Sequence, residues 1–294
     1  MTTMTTAGEA NDRRQRRREV APSNAAQRAV RRDRPLEASR KSYHTVLEQQ
    51  IEQAEEELER PATALLLSGL AAGLELGFGP FAMAVQSTLT KDVFPRPVQE
   101  LLNASLYAVG FVFVVLGRSA LFTEHTTSSV LPVLARRKSA RALFRLWALV
   151  LGANVAGGAL FAWGGTILGP ALGVAEPAAF GEMARRVVDK PAGVMFLSAV
   201  AAGWLMGLLA WLTTAARDTV SQIVLVWLTT MVIGLAGLHH SIAGTVEVLL
   251  GVFAGTGATL ADYARFLLWA VTGNAVGGAT FALLKYGHVR ESAR

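Results

Sequence analysis

Six hydrophobic stretches follow a polar N-terminal segment, and each is long enough to cross a bilayer, which takes about 20 apolar residues in a helix. They run over 63–88, 102–134, 142–169, 193–216, 219–255 and 264–287. Two of them, 102–134 and 219–255, are longer than a single span requires. The pattern predicts an all-α membrane protein with six transmembrane helices.

The polar segment that precedes the spans divides into two parts. Residues 1–42 are basic and contain few large apolar residues, so they are expected to form a disordered cytoplasmic tail. Between 43 and 60, apolar residues recur at helical spacing opposite a row of glutamates, which predicts an amphipathic cytoplasmic helix. The six-span domain then covers 61–288, and 289–294 is expected to be a cytoplasmic C-terminus.

The positions of lysine and arginine indicate how the spans are oriented. Of the 28 Lys and Arg residues, 21 lie in the tail and in the loops and end that share its side, whereas six lie in the alternate loops. Cytoplasmic loops carry the excess of positive charge in membrane proteins. We therefore predict a multi-pass protein of the inner (plasma) membrane with both termini cytoplasmic. This arrangement also explains the net charge of +6 better than nucleic-acid binding does.

The two halves of the chain resemble each other. The segment LSGLAAGLELG at 67–77 matches LSAVAAGWLMG at 197–207, and NVAGGALFA at 154–162 matches NAVGGATFA at 274–282. Three spans per half reverse the direction of the chain, so the pattern predicts two inverted repeats, over about 63–169 and 193–287, with a solute pathway between them. The alternative is that the repeated small residues reflect only close helix packing.

Each overlong stretch contains polar residues at its middle, GRSALFTEHTTSSVLPVL at 117–134 and GLAGLHHSIAGTVEVLL at 234–250. The two segments align so that Thr123 falls opposite His240. Polar interruptions of this kind are typical of broken helices, whose unpaired backbone groups are tolerated only beside a cavity or inside protein. We therefore predict that helices 2 and 5 are broken and that a central site lies between the breaks.

Four short motifs, taken together, resemble the formate/nitrite transporter family. They are Leu121-Phe122-Thr123, His240-Ser241-Ile242-Ala243, Asn154 with Gly157-Gly158, and Asn274 with Gly277-Gly278. The resemblance extends over about 61–288, and the long charged tail is similar to a divergent inner-membrane branch of the family.

The resemblance implies an aquaporin-like protomer in a homopentamer, embedded in membrane lipid, with one pore per protomer. The implied solutes are small monovalent anions or weak acids such as formate, nitrite or hydrosulfide. It also implies that His240 is the central pore histidine and that Thr123 faces it, with Leu121 and Phe122 beside it. Tyr107, Phe111 and Ile233 would form apolar constrictions.

A physical argument supports a histidine at such a site. A bare anion is costly to move through an apolar constriction, whereas a weak acid that takes up a proton crosses as a neutral molecule. Imidazole changes its charge near neutral pH, so His240 is predicted to assist this protonation. The alternative is that His240 merely caps a broken helix, and the neighbouring His239 is expected to be structural.

Several positions depart from the family pattern. Gln222 stands where the family has a lysine that attracts anions, and Gly244 stands where it has an asparagine. Glu124 follows the first motif, where a pore-facing carboxylate would repel an anion. Two further carboxylates, Glu75 and Glu247, lie within predicted spans, where ionisable groups are functional candidates.

These features predict a membrane channel or transporter rather than an enzyme, with no cofactor and no metal. The sequence has no cysteine, which excludes disulfides and thiolate metal sites, and it has no nucleotide-binding motif. Two alternatives remain open at this point. The same fold could carry a neutral solute such as water, glycerol or ammonia, or the protein could be a non-transporting membrane scaffold or sensor.

Overall fold

The computed structural model describes residues 41–292, and the regular secondary structure of this part of the chain is all helical, with no strand. The predicted tail, 1–42, lies outside the described residues except for its last two. The helices are α1 (Tyr43–Glu59), α2 (Ala62–Thr90), α3 (Arg96–Gly117), α4 (Phe122–Ser128), α5 (Val130–Leu134), α6 (Ala140–Ala171), α7 (Pro177–Val188), α8 (Ala192–Ala215), α9 (Thr219–Leu235), α10 (Ser241–Phe253) and α11 (Leu260–Glu291).

Within residues 41–292, five helices are long and apolar enough to span a membrane, namely α2, α3, α6, α8 and α11. The predicted span 219–255 is divided between α9, with 17 residues, and α10, with 13. The stretch 102–134 is likewise divided among α3, α4 and α5. The prediction of an all-α membrane protein in which helices 2 and 5 are broken is therefore confirmed, while the six-span inverted repeat stays a prediction.

The two long half-helices, α3 and α9, end in the same way. Arg118 follows α3 with a φ of 56°, and Gly237 follows α9 with a φ of 61°. In each case the next N–H bonds back into the last turn, from Ser119 to the Val114 carbonyl and from Leu238 to the Ile233 carbonyl. This left-handed position favours glycine, so the backbone conformation of Arg118 is unfavourable for a residue with a side chain. Arg118 is the C-cap of α3 rather than a charge inside a span.

Repeated glycines bring pairs of helices into backbone contact. A Cβ atom added to Gly157 of α6 would lie 2.3 Å from the Leu70 carbonyl oxygen of α2. A Cβ atom added to Gly277 of α11 would lie 2.0 Å from the Val200 carbonyl oxygen of α8. Close packing, the alternative reading of the repeated small residues, is thus part of the structure.

Two amphipathic helices pack against the ends of this bundle. Helix α1 buries Leu47 and Ile51 against a cluster that includes Trp211 and Phe281. Its acidic face is ion-paired with the loop after α5, because Arg137 bonds Glu48 at 2.6 Å and Lys138 bonds Glu59. Helix α7 packs on α10 through a cluster that includes Phe180, Met183 and Leu250. No span is predicted over 170–192, because a helix of 12 residues is too short to register as one.

The glycine contacts lead to a paired prediction on α6. Gly157→Ala should destabilise the protein by about 1–3 kcal/mol, because a methyl group there overlaps backbone that cannot move independently. Gly164→Ala, on the same helix with nothing within 4 Å of the added atom, should be neutral or slightly stabilising. Thermal unfolding of the purified protein in detergent checks this, and equal midpoints for the two variants would contradict it.

Candidate functional site

The candidate site lies where the two broken helices meet. The hydroxyl oxygen of Thr123, in the first turn of α4, is 2.7 Å from Nε2 of His240, the residue that precedes α10. Both side chains are buried, with 0% and 1% of their surface exposed. The structure therefore brings together the two residues that the sequence alignment of the breaks placed opposite each other.

His240 also caps α10. Its Nδ1 accepts hydrogen bonds from the backbone N–H groups of Ile242 at 3.3 Å and Ala243 at 3.2 Å. Because Nδ1 acts as the acceptor, a neutral imidazole carries its proton on Nε2 and donates it to the Thr123 hydroxyl. The capping role that the sequence analysis kept as an alternative is thus real, and it fixes the tautomer that faces Thr123.

Asn154 of α6 holds the first break in place. Its carbonyl oxygen accepts a hydrogen bond from the Phe122 N–H at 2.8 Å, at the start of α4. Its amide nitrogen donates to the carbonyls of Gly69 and Ala120, both at 2.8 Å. One buried side chain therefore satisfies a helix N-terminus, a carbonyl in the break and a carbonyl of α2.

Asn274 of α11 does the same at the second break. Its carbonyl oxygen accepts from the Ser241 N–H at 2.8 Å, and its amide nitrogen donates to the carbonyls of Ala199 at 2.8 Å and His239 at 2.9 Å. The two asparagines are completely buried and make corresponding sets of contacts. The repeated motifs that contain them are therefore structural anchors of the breaks.

Aromatic and aliphatic side chains close over His240. The ring of Phe111 meets the imidazole edge to face, with ring centroids 4.9 Å apart, and Tyr107 packs on Phe111 at 5.1 Å. Ile233, at the end of α9, is fully buried. The structure thus brings all three predicted constriction residues into the same buried cluster around His240.

A cavity of about 390 Å³ leads away from this point. His240, Tyr107 and Ile233 line its inner end, and its charged lining residues are Arg96, Glu100, Arg186, Lys190 and Glu247. Arg96 begins α3 and is therefore about 16 Å along the helix from Tyr107. The cavity thus connects the end of α3 with the buried histidine.

None of the four predicted pathway residues of the first break lines this cavity, and Thr123 reaches it only through its contact with His240. Leu121 precedes α4 and is fully buried in the hydrophobic core. Phe122 packs on Trp147 of α6, with ring centroids 6.1 Å apart. Glu124 is partly exposed in the first turn of α4. Leu121, Phe122 and Glu124 belong to the packing around the break rather than to the wall of the cavity.

The two departures at Gln222 and Gly244 have structural explanations. Gln222 lies in the first turn of α9, about 16 Å along the helix from Ile233, and its amide donates to the Thr213 carbonyl at 3.1 Å. A Cβ atom at Gly244 would lie 2.3 Å from Cζ of Phe266. Because the Phe266 ring fills this space, any side chain at this position would require that ring to move.

The part of the cavity that α7 builds was not predicted from the sequence. His239 donates from Nε2 to the Val187 carbonyl at 2.9 Å, and its Nδ1 bonds the Ser198 hydroxyl, so it joins the end of α7 to α8. Arg186, near the end of α7, and Lys190, in the loop after it, also line the cavity. The only signal in the sequence was the amphipathic pattern of 177–188, which is weak at this length.

Within residues 41–292, no three His, Cys, Asp or Glu side chains cluster as metal ligands would.

Comparison with known proteins gives consistent results. The sequence model of the formate/nitrite transporter family matches residues 44–287. The inner membrane protein YfdC of Escherichia coli (strain K12) is 35% identical over 240 residues, which cover 80% of this chain and 75% of YfdC. A solved FNT family ion channel superposes with a TM-score of 0.74 at 22% identity, over 83% of this chain and 98% of that chain. A pentameric formate channel with formate bound superposes at 0.64 with 22% identity, over 78% and 98%.

The asparagine anchors lead to a second prediction. Asn274→Ala should markedly lower the thermal midpoint, because it leaves the Ser241 N–H and the His239 carbonyl without this partner, at about 1–3 kcal/mol for each buried group. Asn103→Ala is the control, since that amide exchanges hydrogen bonds only with Ser87. Thermal unfolding in detergent measures both variants. Equal losses in the two would show that Asn274 is not a special anchor.

Proposed function

This chain belongs to the formate/nitrite transporter family, and we propose that it passes a small monovalent weak acid, of the formate or nitrite type, through a pore in each protomer. The observation that carries the proposal is the buried contact of 2.7 Å between Thr123 and His240, at the inner end of the cavity. We propose that the chain transports a solute across the membrane rather than catalysing a reaction. The name of its relative, inner membrane protein YfdC, supports an inner-membrane location, and we propose that both termini are cytoplasmic.

The geometry favours transport of the neutral acid. The inner end of the cavity is closed by Tyr107, Phe111 and Ile233, and an unpaired anion would lose its hydration there without gaining an opposite charge. The neutral acid loses only hydrogen bonds, which the site can replace. The Nε2–H of His240, which donates to Thr123 in the structure, would pass to the entering acid, and the Thr123 hydroxyl both donates and accepts. A protonated carboxyl group matches that pair because it also donates once and accepts once.

The role of His240 is limited by its cap. Since Nδ1 accepts two backbone N–H groups, placing a second proton on the ring would displace those hydrogen bonds. A neutral imidazole has no spare proton to give away. We therefore propose that the acid takes its proton from water in the cavity and that His240 assists by binding the neutral form through Nε2–H.

A neutral-solute facilitator is the second candidate function. Gln222 replaces the cationic residue of the family, and the closing side chains are apolar, so water, glycerol or ammonia would meet no charge requirement at the centre. Osmotic swelling of proteoliposomes in these solutes, compared with uptake of labelled formate and nitrite, separates the two functions.

The central site leads to a third prediction. Thr123→Val keeps the volume and leaves the His240 cap intact but removes the hydroxyl, so uptake of labelled formate should fall by about tenfold. His240→Ala should lose at least as much, and wild-type uptake should be faster at about pH 5 than at about pH 7.5, since more of the acid is neutral.

The control for this experiment is Thr272→Val on α11, whose exposed hydroxyl bonds only carbonyls of its own helix. This variant should transport like the wild type. Wild-type rates in Thr123→Val would contradict a role for the pair, and swelling in neutral solutes without formate or nitrite uptake would favour the second candidate.

The assembly leads to a fourth prediction. The solved formate channel is pentameric, and large apolar side chains are exposed along the spans, among them Trp163, Leu197 and Leu268. Such faces must be covered by lipid or by other protomers. We propose a homopentamer, so native mass spectrometry of the detergent-solubilised protein should give five copies of the chain. A monomeric mass under conditions that preserve a known pentamer would contradict this.

A further inference from the structure

Glu247 is a carboxylate inside the cavity that the proposed function does not use. It lies on α10, seven residues after His240, so the two are on nearly the same face and about 10 Å apart along the helix. Only 8% of its surface is exposed, and it lines the same cavity as His240. In the part of the chain that the structure describes, no hydrogen bond or ion pair of this carboxylate is formed.

The cations nearest the cavity are already engaged by another acid. Glu100 binds the guanidinium of Arg186 at 2.8 Å and that of Arg96 at 3.5 Å. Lys190 adds a further positive charge to the lining. The cavity therefore has a basic outer part, which attracts anions, and a carboxylate without an ion pair on the helix that His240 caps, with Arg186 acting on it only through space.

A negative charge in this position is difficult to explain by packing. A buried carboxylate is usually paired, because an unpaired one is costly, and Glu100 shows that this cavity can provide pairs. Glutamine would fill the same volume at no such cost. Arg186 acts on Glu247 only through space because it is ion-paired with Glu100, and neither of the other ionisable groups nearby, His239 and Tyr107, supplies a positive charge, since His239 is bonded to Ser198 and Val187 and Tyr107 is a phenol.

We propose that Glu247 determines specificity in the proposed transport. Its carboxylate repels a solute that stays anionic on its way from the basic outer part to the Tyr107–Phe111 closure, whereas a weak acid that has become neutral passes it without repulsion. The basic residues would concentrate anions at the mouth, and Glu247 would select those that can take up a proton. This inference rests on the proposed function and names the solute property that the pore selects.

The test, which is the fifth prediction, compares nitrate with formate in proteoliposomes at about pH 8, where a carboxylate is ordinarily ionised and nitrate, unlike formate, has no accessible neutral form. In wild-type protein, formate uptake should exceed nitrate uptake. In Glu247→Gln the nitrate rate should rise by about threefold or more, the size expected from removing one like charge in a partly solvated cavity. Glu247→Asp keeps the charge and should keep the wild-type ratio.

Glu182→Gln is the matched control, because it removes the same charge from the exposed face of α7 outside the cavity. It should leave both rates unchanged. An unchanged nitrate-to-formate ratio in Glu247→Gln, with active wild-type protein, would overturn this inference alone. Wild-type protein that transports neither solute would overturn the proposed function and this inference with it. Gel filtration confirms that each variant is folded. If Glu247→Gln aggregates, the test rests on Glu247→Asp, and a changed nitrate-to-formate ratio in that variant would count against the proposal.

Discussion

The structure depends on how two interrupted helices provide hydrogen-bond partners for their free backbone N–H and carbonyl groups inside an apolar bundle. A break leaves N–H groups at the start of one half-helix and carbonyls at the end of the other, and hydrocarbon offers them no partners. Asn154 and Asn274 solve this problem with one amide each, whose oxygen accepts one N–H and whose nitrogen donates to two carbonyls. Because an asparagine side chain is short, the helix that carries it must lie very close to the break.

That closeness explains the glycines beside the asparagines. Gly157 and Gly277 follow the anchors by three residues, on the next turn of the same helices, and they let α6 and α11 contact the backbones of α2 and α8. A larger side chain would move the helix away and stretch the amide hydrogen bonds at once. The close packing of the helices and the hydrogen bonds of the asparagines thus depend on each other, which accounts for the recurrence of the same short motif in both halves.

The parts of the fold that follow local rules could be predicted from the sequence. Span length, polar interruptions and the repeated Asn and Gly residues indicated the broken helices and the encounter of Thr123 with His240, because those signals depend on composition within one segment. The wall that α7 contributes could not be predicted, since its 12 residues gain their order from packing on α10. The same holds for Phe122, whose contact with Trp147 joins residues distant in sequence and turns it away from the cavity.

The imidazole of His240 therefore both caps a helix and faces the central site, and this restricts the chemistry that the site can perform. Nδ1 of His240 stabilises the start of α10, while Nε2 faces Thr123. If the ring were to gain a proton, it would have to release α10, and the half-helix that carries Glu247 would lose its cap. A site built in this way is suited to holding one tautomer and offering a fixed N–H. In the function proposed above, discrimination by charge then has to occur before the histidine, in the cavity that the basic side chains and Glu247 line. Binding and selection would therefore be separated along the path.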